Sequence, residues 1–357
     1  MHAHRTAAVA LTAAVTGSAL LLTGCAAVTR TSVAVAPAGG SSSAPAGSAT
    51  PAGGATPAGG ATPSSSSSSA ASAAPGASAS ATAPALNGTA GNRLTISNGT
   101  TKVVMNGTVV DFGTVVRDLA WSPDGSRAAF IDGAGNLDTA NADGSGRVLV
   151  ARAPSGENWS HPAWRVAKAD SQLGSPAINR ILFAASRGGT VLLKQVPTTG
   201  GTPTLLFIPV TDGEGGSNGN PLPQTGNAWP ATGGRYATVM YANSGAGSVY
   251  LRDDNIRTAA AKLSAGSEPA ISADGASAVF VRSVGGHDHL FEESIQGDRV
   301  ARDITPNATT DYTEPTWSPD GRTIAARTPA GIATLPADGS AAPTLVSSWT
   351  GLPSYRG

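Results

Sequence analysis

The chain has 357 residues, of which 45 are glycine and 25 are proline, and only 13% of its residues are charged. The 23 basic and 23 acidic residues balance, so there is no excess of positive charge to neutralise nucleic-acid phosphates, and we expect no nucleic-acid partner. The single cysteine excludes an internal disulfide framework and a zinc site built on several thiolates.

Residues 1–24 have the features of an export signal. Arg5 supplies a positive charge, and residues 7–22 form an uncharged, mostly apolar stretch that is short for a membrane-spanning helix. The segment Leu22-Thr23-Gly24-Cys25 resembles the lipobox of bacterial lipoproteins, which implies cleavage before Cys25 and lipid attachment to its thiol. We therefore predict a lipid-anchored protein on the extracytoplasmic face of the cell membrane. The alternative is an ordinary export signal that contains a cysteine.

Residues 25–91 form a predicted linker that begins with the lipidated cysteine. From residue 32 to residue 87 the chain is almost wholly alanine, serine, glycine, proline and threonine. No hydrophobic periodicity is present to offset the entropy of ordering such a segment. We predict a disordered tether, and random-coil scaling gives about 60 residues an r.m.s. reach of about 40 Å.

Residues 92–357 form the predicted folded domain, which is all-β because short runs of β-forming residues alternate with turn dipeptides. Residues 118–130, 268–280 and 314–325 align as copies of one strand–turn–strand unit. Two of them contain Trp-Ser-Pro-Asp-Gly, in which Pro fixes φ, Asp caps the turn and Gly accepts a positive φ. Three weaker copies extend the alignment. In each of the six copies one residue should pack between neighbouring sheets, and these residues are Trp121, Trp164, Trp229, Ile271, Trp317 and Tyr355.

The last copy begins at Leu352 and ends at the turn, so its second strand must come from elsewhere. Residues 93–97 resemble that missing strand, and residues 101–105 and 108–112 supply two more. The C-terminal strand is therefore predicted to complete the first sheet, which closes a ring and removes open sheet edges. With about 44 residues per sheet, the prediction is a six-bladed β-propeller.

The repeat resembles the WD40-like repeat of TolB-type six-bladed propellers, over residues 93–357. That resemblance implies the fold and leaves the function open. The repeat is found in periplasmic scaffold proteins, in the propellers of prolyl-oligopeptidase-type peptidases and in some polysaccharide lyases.

A candidate site follows from the repeat. Three residues before each packing position stand Asp118, His161, Gly226, Glu268, Glu314 and Leu352. Equivalent positions of a repeat share one height and radius in a ring of blades, so Asp118, His161, Glu268 and Glu314 should surround one mouth of the central channel. Such a cluster could bind a divalent cation such as calcium, or a Lys or Arg side chain of a partner. The alternative is that these are solvated residues at strand starts, paired with neighbouring arginines.

Three other features have possible chemical interpretations. Residues 215–219 match Gly-x-Ser-x-Gly, but a nucleophile elbow needs a strand–turn–helix context, and this match lies in a polar loop. His287 and His289 could place two metal ligands on one face of a strand, although Gly285-Gly286 before them favours an exposed turn. Trp159 and Trp349 lie outside the packing positions, and Trp159, beside a polar loop, could contact a glycan or a protein.

The sequence favours a monomeric, non-enzymatic scaffold that binds an extracytoplasmic protein or ligand, is held to the membrane by its lipid and has no resident cofactor. The alternative is an extracytoplasmic carbohydrate-active enzyme, a lyase or glycosidase, that uses the channel-mouth residues. A carboxylate pair at glycosidase separation, or His161 within hydrogen-bond reach of a carboxylate, would favour the enzyme. A third possibility is a purely structural role.

Overall fold

A computed structural model describes residues 86–213, 219–254 and 257–357. Within these ranges the chain forms six four-stranded antiparallel sheets and no helix, which confirms the six-bladed β-propeller. No helix in the described ranges could therefore cross a bilayer. The predicted signal peptide, Cys25 and residues 214–218 lie outside the described residues.

The twenty-four strands are numbered in chain order. They are β1 Leu94–Ser97, β2 Lys102–Met105, β3 Thr108–Asp111, β4 Arg117–Trp121, β5 Ala128–Ile131, β6 Leu137–Ala140, β7 Val148–Ala151, β8 Asn158–Ala167, β9 Ile178–Arg187, β10 Thr190–Pro197, β11 Thr204–Leu205, β12 Asn227–Gly233, β13 Thr238–Asn243, β14 Ser248–Asp253, β15 Ala259–Ala265, β16 Ser267–Ile271, β17 Ser277–Val284, β18 His287–Ser294, β19 Arg302–Asp303, β20 Thr313–Trp317, β21 Thr323–Thr328, β22 Gly331–Pro336, β23 Thr344–Ser347 and β24 Leu352–Tyr355.

The C-terminal strand closes the ring, as predicted. Blade 1 has the strand order β24-β1-β2-β3, and blades 2 to 6 each use four consecutive strands, from β4–β7 to β20–β23. In blade 1, Tyr355 pairs with Leu94 and Leu352 pairs with Ser97. The innermost strands β4, β8, β12, β16, β20 and β24 contact one another in this order around the ring, and β24 returns to β4.

The repeated hairpin is held by its own serine and aspartate. In blade 6, Ser318 Oγ donates to Asp320 Oδ1 over 2.6 Å and accepts a hydrogen bond from the Thr323 amide over 2.9 Å. Gly321 at φ 69° donates its N–H to the Ser318 carbonyl. The same contacts recur at Ser122 and Ser272, so the recurring Ser-x-Asp-Gly sequence encodes this turn.

The core is divided among the blade interfaces. Six clusters of buried apolar side chains each join two consecutive blades. Trp159 belongs to the cluster between blades 2 and 3, is 1% exposed and packs on Phe183 with ring centroids 4.5 Å apart. The idea that Trp159 contacts a glycan or a protein at the surface is therefore wrong, because β8 begins one residue before it and turns its ring into the core.

Residues 86–91, which the sequence assigns to the linker, contact the propeller. The Gly88 amide donates to the Val346 carbonyl over 2.7 Å, and Asn87 forms a β-bridge with Ser347. Thr89 is fully buried and its hydroxyl accepts a hydrogen bond from the Gly107 amide over 2.9 Å. This segment adds contacts to the outer edges of blades 6 and 1.

Candidate functional site at the channel mouth

The candidate site is formed at β-bulges in the innermost strands. The innermost strands of blades 2 to 6 each shift register once, as a β-bulge does, near their first residues. One non-glycine residue in each bulge has φ between 49° and 54°, and these residues are Asp118, His161, Trp229, Glu268 and Glu314. Residues with side chains avoid this region of φ, so the surroundings must compensate the backbone strain at all five positions.

Two carboxylates stabilise these bulges by accepting hydrogen bonds from backbone N–H groups. Asp118 Oδ2 accepts a hydrogen bond from the backbone N–H of His161 in the next blade over 3.1 Å. Glu268 Oε2 accepts one from the N–H of Glu314, also in the next blade, over 2.7 Å. The bulge turns each N–H out of the strand ladder, and the preceding blade provides the acceptor. Asp118 and Glu268 therefore have a structural task at the mouth, and it is different from the arginine pairing considered from the sequence.

A hydrogen bond between opposite blades crosses the mouth. His161 Nε2 in blade 3 lies 3.1 Å from Glu314 Oε1 in blade 6. Trp229 Nε1 in blade 4 donates to the same oxygen over 3.3 Å, and the Trp229 and His161 ring centroids are 6.0 Å apart. The structure thus brings Asp118, His161, Glu268 and Glu314 together and adds Trp229.

Burial and charge shift two pKa values in this cluster. Burial raises the pKa of Glu268 to about 7, and the negative charge of Glu314 acts in the same direction. Burial alone would lower the pKa of His161, but the hydrogen bond and charge of Glu314, with the charges of Asp118 and Glu268, raise it overall. Glu268 and His161 therefore retain their protons to higher pH than the same side chains in water would.

The sequence alignment of blade 4 is wrong by three residues. Trp229 packs against the cluster between blades 4 and 5, as predicted, but it occupies the bulge position of the repeat. Thr232 occupies the packing position, where its hydroxyl donates to the Trp164 carbonyl. Gly226 lies just before β12, outside the bulge. The turn of this copy lacks the Pro-Asp pair, so the sequence offered no fixed point for aligning blade 4 with the other copies. A usable signal was the proline that follows the bulge residue in four blades, at Pro162, Pro230, Pro269 and Pro315.

Two cavities meet at the mouth. The channel, of about 440 Å³, is lined by residues of all six innermost strands, among them Trp121, Trp164, Trp317 and Tyr355. The vestibule, of about 460 Å³, lies at the blade 1 side of the mouth. It is lined by Ser97, Asn98, Gly99, Arg117, Asp118, His161, Glu314, Arg327, Thr350, Gly351 and Leu352. Asp118, His161 and Glu314 line both cavities, so the His161–Glu314 hydrogen bond stands between them.

The histidine pair of blade 5 lies in a different environment from the one expected. His287 and His289 lie in β18 rather than in an exposed turn, and His289 is 4% exposed. His289 Nδ1 is 2.8 Å from Asp303 Oδ2, and His287 Nδ1 is 3.3 Å from Asp311 Oδ1. Each histidine thus has its own carboxylate. Among the residues that the structure describes, no group of three or more His, Cys, Asp or Glu side chains is placed to hold a metal ion.

Comparisons with known proteins bear on the fold. No protein-family model matches the sequence, and no curated protein matches it. Among solved structures, TolB from Acinetobacter baumannii is similar with a TM-score of 0.52 and 16% identity over 76% of this chain and 68% of that one. Hydrazine synthase of Kuenenia stuttgartiensis has a TM-score of 0.50 and 16% identity over 70% of this chain and 42% of that one. A chain of a nidogen/laminin complex has a TM-score of 0.50 and 11% identity, with 74% and 97% covered. These similarities establish the TolB-like propeller fold.

Proposed function

We propose that this protein is a non-enzymatic scaffold, a monomer held by lipid at Cys25 on the extracytoplasmic face of the cell membrane, that binds a ligand or a protein partner at the channel mouth. The lipobox-like segment and the low-complexity linker support the anchor and the tether. A propeller suits such a role because its blades bring residues that are distant in sequence to one end of the channel.

One observation carries the proposal: polar side chains from blades 2 to 6 converge at one mouth, next to a cavity on each side. Concave sites with a few convergent polar groups are where proteins bind their ligands. Asp118 and Glu268 are already engaged by backbone N–H groups, which fits a pre-organised binding surface better than a set of mobile reacting groups.

Crosslinking tests the proposal. A photo-crosslinker placed at the mouth in place of Asn98, which lines the vestibule, should capture a partner from the membrane fraction of the native host. The control carries the same group in place of Arg322, an exposed hairpin residue at the opposite end of the propeller. Equal capture at both positions, or capture at neither, would contradict a protein-binding role for the mouth.

A specific observation also favours the carbohydrate-active enzyme as a second candidate. His161 is within hydrogen-bond reach of the Glu314 carboxylate, and a carboxyl group with its pKa raised to about 7, as Glu268 has, could act as a general acid near neutral pH. An assay for new reducing ends and for unsaturated products on bacterial polysaccharides tests this function. Activity that is lost in both Glu314→Gln and His161→Asn, while both variants keep their melting temperature, would replace the scaffold proposal.

A further inference from the structure

The vestibule contains positive charges that the mouth cluster does not use. Arg117 begins β4 in blade 2, and Arg327 lies in β21 of blade 6. Both side chains are exposed and both line the vestibule. Among the residues that the structure describes, neither guanidinium has a hydrogen-bond or ion-pair partner. Arginines without protein partners, lining one cavity, are available to a ligand.

Blade 1 separates these arginines with an uncharged surface. Its contributions to the vestibule are Ser97, Asn98, Gly99, Thr350, Gly351 and Leu352. The innermost strand of this blade has no bulge, and Leu352 pairs directly with Ser97. Gly351 has φ 157°, and a Cβ there would lie 2.4 Å from the Ser97 carbonyl oxygen, so only glycine lets the chain pass this close. Blade 1 therefore lacks the acidic bulge residue that blades 2, 5 and 6 have.

The two acidic residues that line the vestibule already accept hydrogen bonds. Asp118 Oδ2 and Glu314 Oε1 accept hydrogen bonds from His161, and Trp229 also donates to Glu314. Within the described residues, Asp118 Oδ1 and Glu314 Oε2 accept none. The vestibule is thus lined by two unpartnered guanidinium groups and by two carboxylates, each of which keeps one acceptor oxygen unpartnered. Each arginine lies next to one carboxylate, because Arg117 precedes Asp118 in β4 and Arg327 pairs with Thr313, the residue before Glu314.

This distribution reverses the expectation from the sequence. Four mouth residues of mainly negative charge suggested a cationic ligand. In the structure their charge is offset by backbone N–H groups and by an imidazole whose pKa is raised, so a second cation at the centre would be repelled by His161 when that imidazole is protonated. The groups left without a partner are the two guanidinium groups, which can bind an anion, and two carboxylate oxygens, which can accept hydrogen bonds from uncharged donors.

We propose that the vestibule binds a small hydroxylated carboxylic acid, with its carboxylate between Arg117 and Arg327 and its hydroxyl groups directed to Asp118 and Glu314. The planar guanidinium group matches a carboxylate with paired N–H donors, and a carboxylate oxygen accepts from a hydroxyl. A volume of about 460 Å³ is within the range of small-molecule sites. The inference rests on the proposed function, since it takes the mouth to be a binding surface and adds the class of ligand.

Calorimetric titration of the full chain tests the inference with two matched probes. D-glucuronate carries the carboxylate and the hydroxyl groups, and D-glucose carries the hydroxyl groups alone. We expect glucuronate to bind at least about tenfold more tightly than glucose, and its affinity to fall as salt is added. The absence of glucuronate binding at millimolar concentrations, or equal affinities for the two sugars, would overturn the inference.

Variants locate the site. Arg117→Gln and Arg327→Gln should each weaken glucuronate binding about fivefold or more with little change in melting temperature, because both side chains are exposed and unpartnered. Arg187→Gln is the matched control, since Arg187 is an exposed arginine at the same end of the propeller, in blade 3, that does not line the vestibule. Unchanged affinity in both vestibule variants would also overturn the inference.

The scaffold proposal and this inference can fail separately. If crosslinking at Asn98 captures a partner and glucuronate does not bind, the ligand class is wrong and the scaffold stands. If glucuronate binds as described and crosslinking captures nothing, the inference holds and the protein-partner version of the scaffold is excluded.

Discussion

At the scale of single residues, the channel mouth is defined by five non-glycine residues that share an unfavourable φ. Each is tied to other blades by at least one polar contact, as when Glu268 accepts the Glu314 N–H and Glu314 accepts the Trp229 indole. The carboxylates thus stabilise the bulges whether or not a ligand is bound. Several negative charges can lie close together in a partly buried ring because backbone N–H groups and one imidazole offset them.

Glu268 should make stability depend on pH. A carboxyl group whose folded pKa is raised above its unfolded value stabilises the protein in the acid range, and this contribution is lost as the pH rises towards about 7. The raised pKa of His161 acts in the same direction, because its stabilisation is present at low pH and is lost as pH rises through the folded pKa. We therefore expect the melting temperature to fall between pH 5 and pH 8.

The substitution Glu268→Gln should flatten this profile. The amide oxygen can still accept the Glu314 N–H, while the partly buried negative charge is gone, so at pH 8 we expect a gain of about 1 kcal/mol, or about 2–4 °C in melting temperature. Glu292→Gln, in the outer part of the same blade, is the control. Burial also raises the pKa of Asp138 to about 6, and this affects the wild type and both variants equally. The measurement is therefore the difference between the curves of melting temperature against pH. Parallel curves for the wild type and Glu268→Gln would contradict the raised pKa of Glu268.

At the scale of elements, one hairpin and one closure strand account for the ring. The Ser-x-Asp-Gly hairpin joins the innermost strand to the second strand in blades 2, 5 and 6, and β24 supplies the innermost strand of blade 1 from the other end of the chain. After this strand, Arg356 donates from Nε to the Gly125 carbonyl over 2.6 Å and covers the Trp121 ring. The last residues therefore fasten blade 1 to blade 2 as well as completing blade 1.

Deletion of residues 352–357 should destabilise the propeller severely. The deletion removes β24, exposes the edge of β1, and takes Tyr355 from the cluster between blades 6 and 1, so we expect a loss of at least about 10 °C in melting temperature. The matched control deletes residues 32–77 from the predicted linker and should leave the melting temperature unchanged. Equal melting temperatures for the C-terminal deletion and the full chain would contradict closure by β24.

At the scale of the whole molecule, the proposed function places the propeller at the end of a lipid-anchored linker. The described chain begins beside the outer edge of blade 6, where Gly88 meets Val346. Blade 6 is opposite blade 3 in the ring, and the channel mouth lies at the ring's centre, away from this edge. A linker of about 60 residues would then let the mouth reach ligands away from the lipid surface.

Replacement of the lipidation residue tests this arrangement. We expect Cys25→Ala to move the protein from the membrane fraction to the soluble extracytoplasmic fraction, or to leave unprocessed precursor, because the thiol is the only site for the predicted lipid. Fractionation with a carbonate wash measures the outcome. The propeller's melting temperature should be the same in both proteins. Retention of the processed variant in washed membranes would show that another segment anchors the chain.

The fold could be predicted from the repeat alone, because each copy forms the same local contacts in its blade. Ser-Pro-Asp-Gly specifies the hairpin through contacts within a few residues, and the unpaired copy at residue 352 could only be completed by the strand near residue 94. The four charged or titratable mouth residues were located in the same way, since equivalent repeat positions occupy equivalent places in a ring.

The chemistry of that mouth, by contrast, depends on contacts between blades. Whether a carboxylate is free depends on the neighbouring blade's backbone, as Asp118 and His161 show, and no local pattern contains that information. Only the folded ring placed Trp229 at the mouth, buried Trp159, and left Arg117 and Arg327, 210 positions apart by their residue numbers, without partners in one cavity.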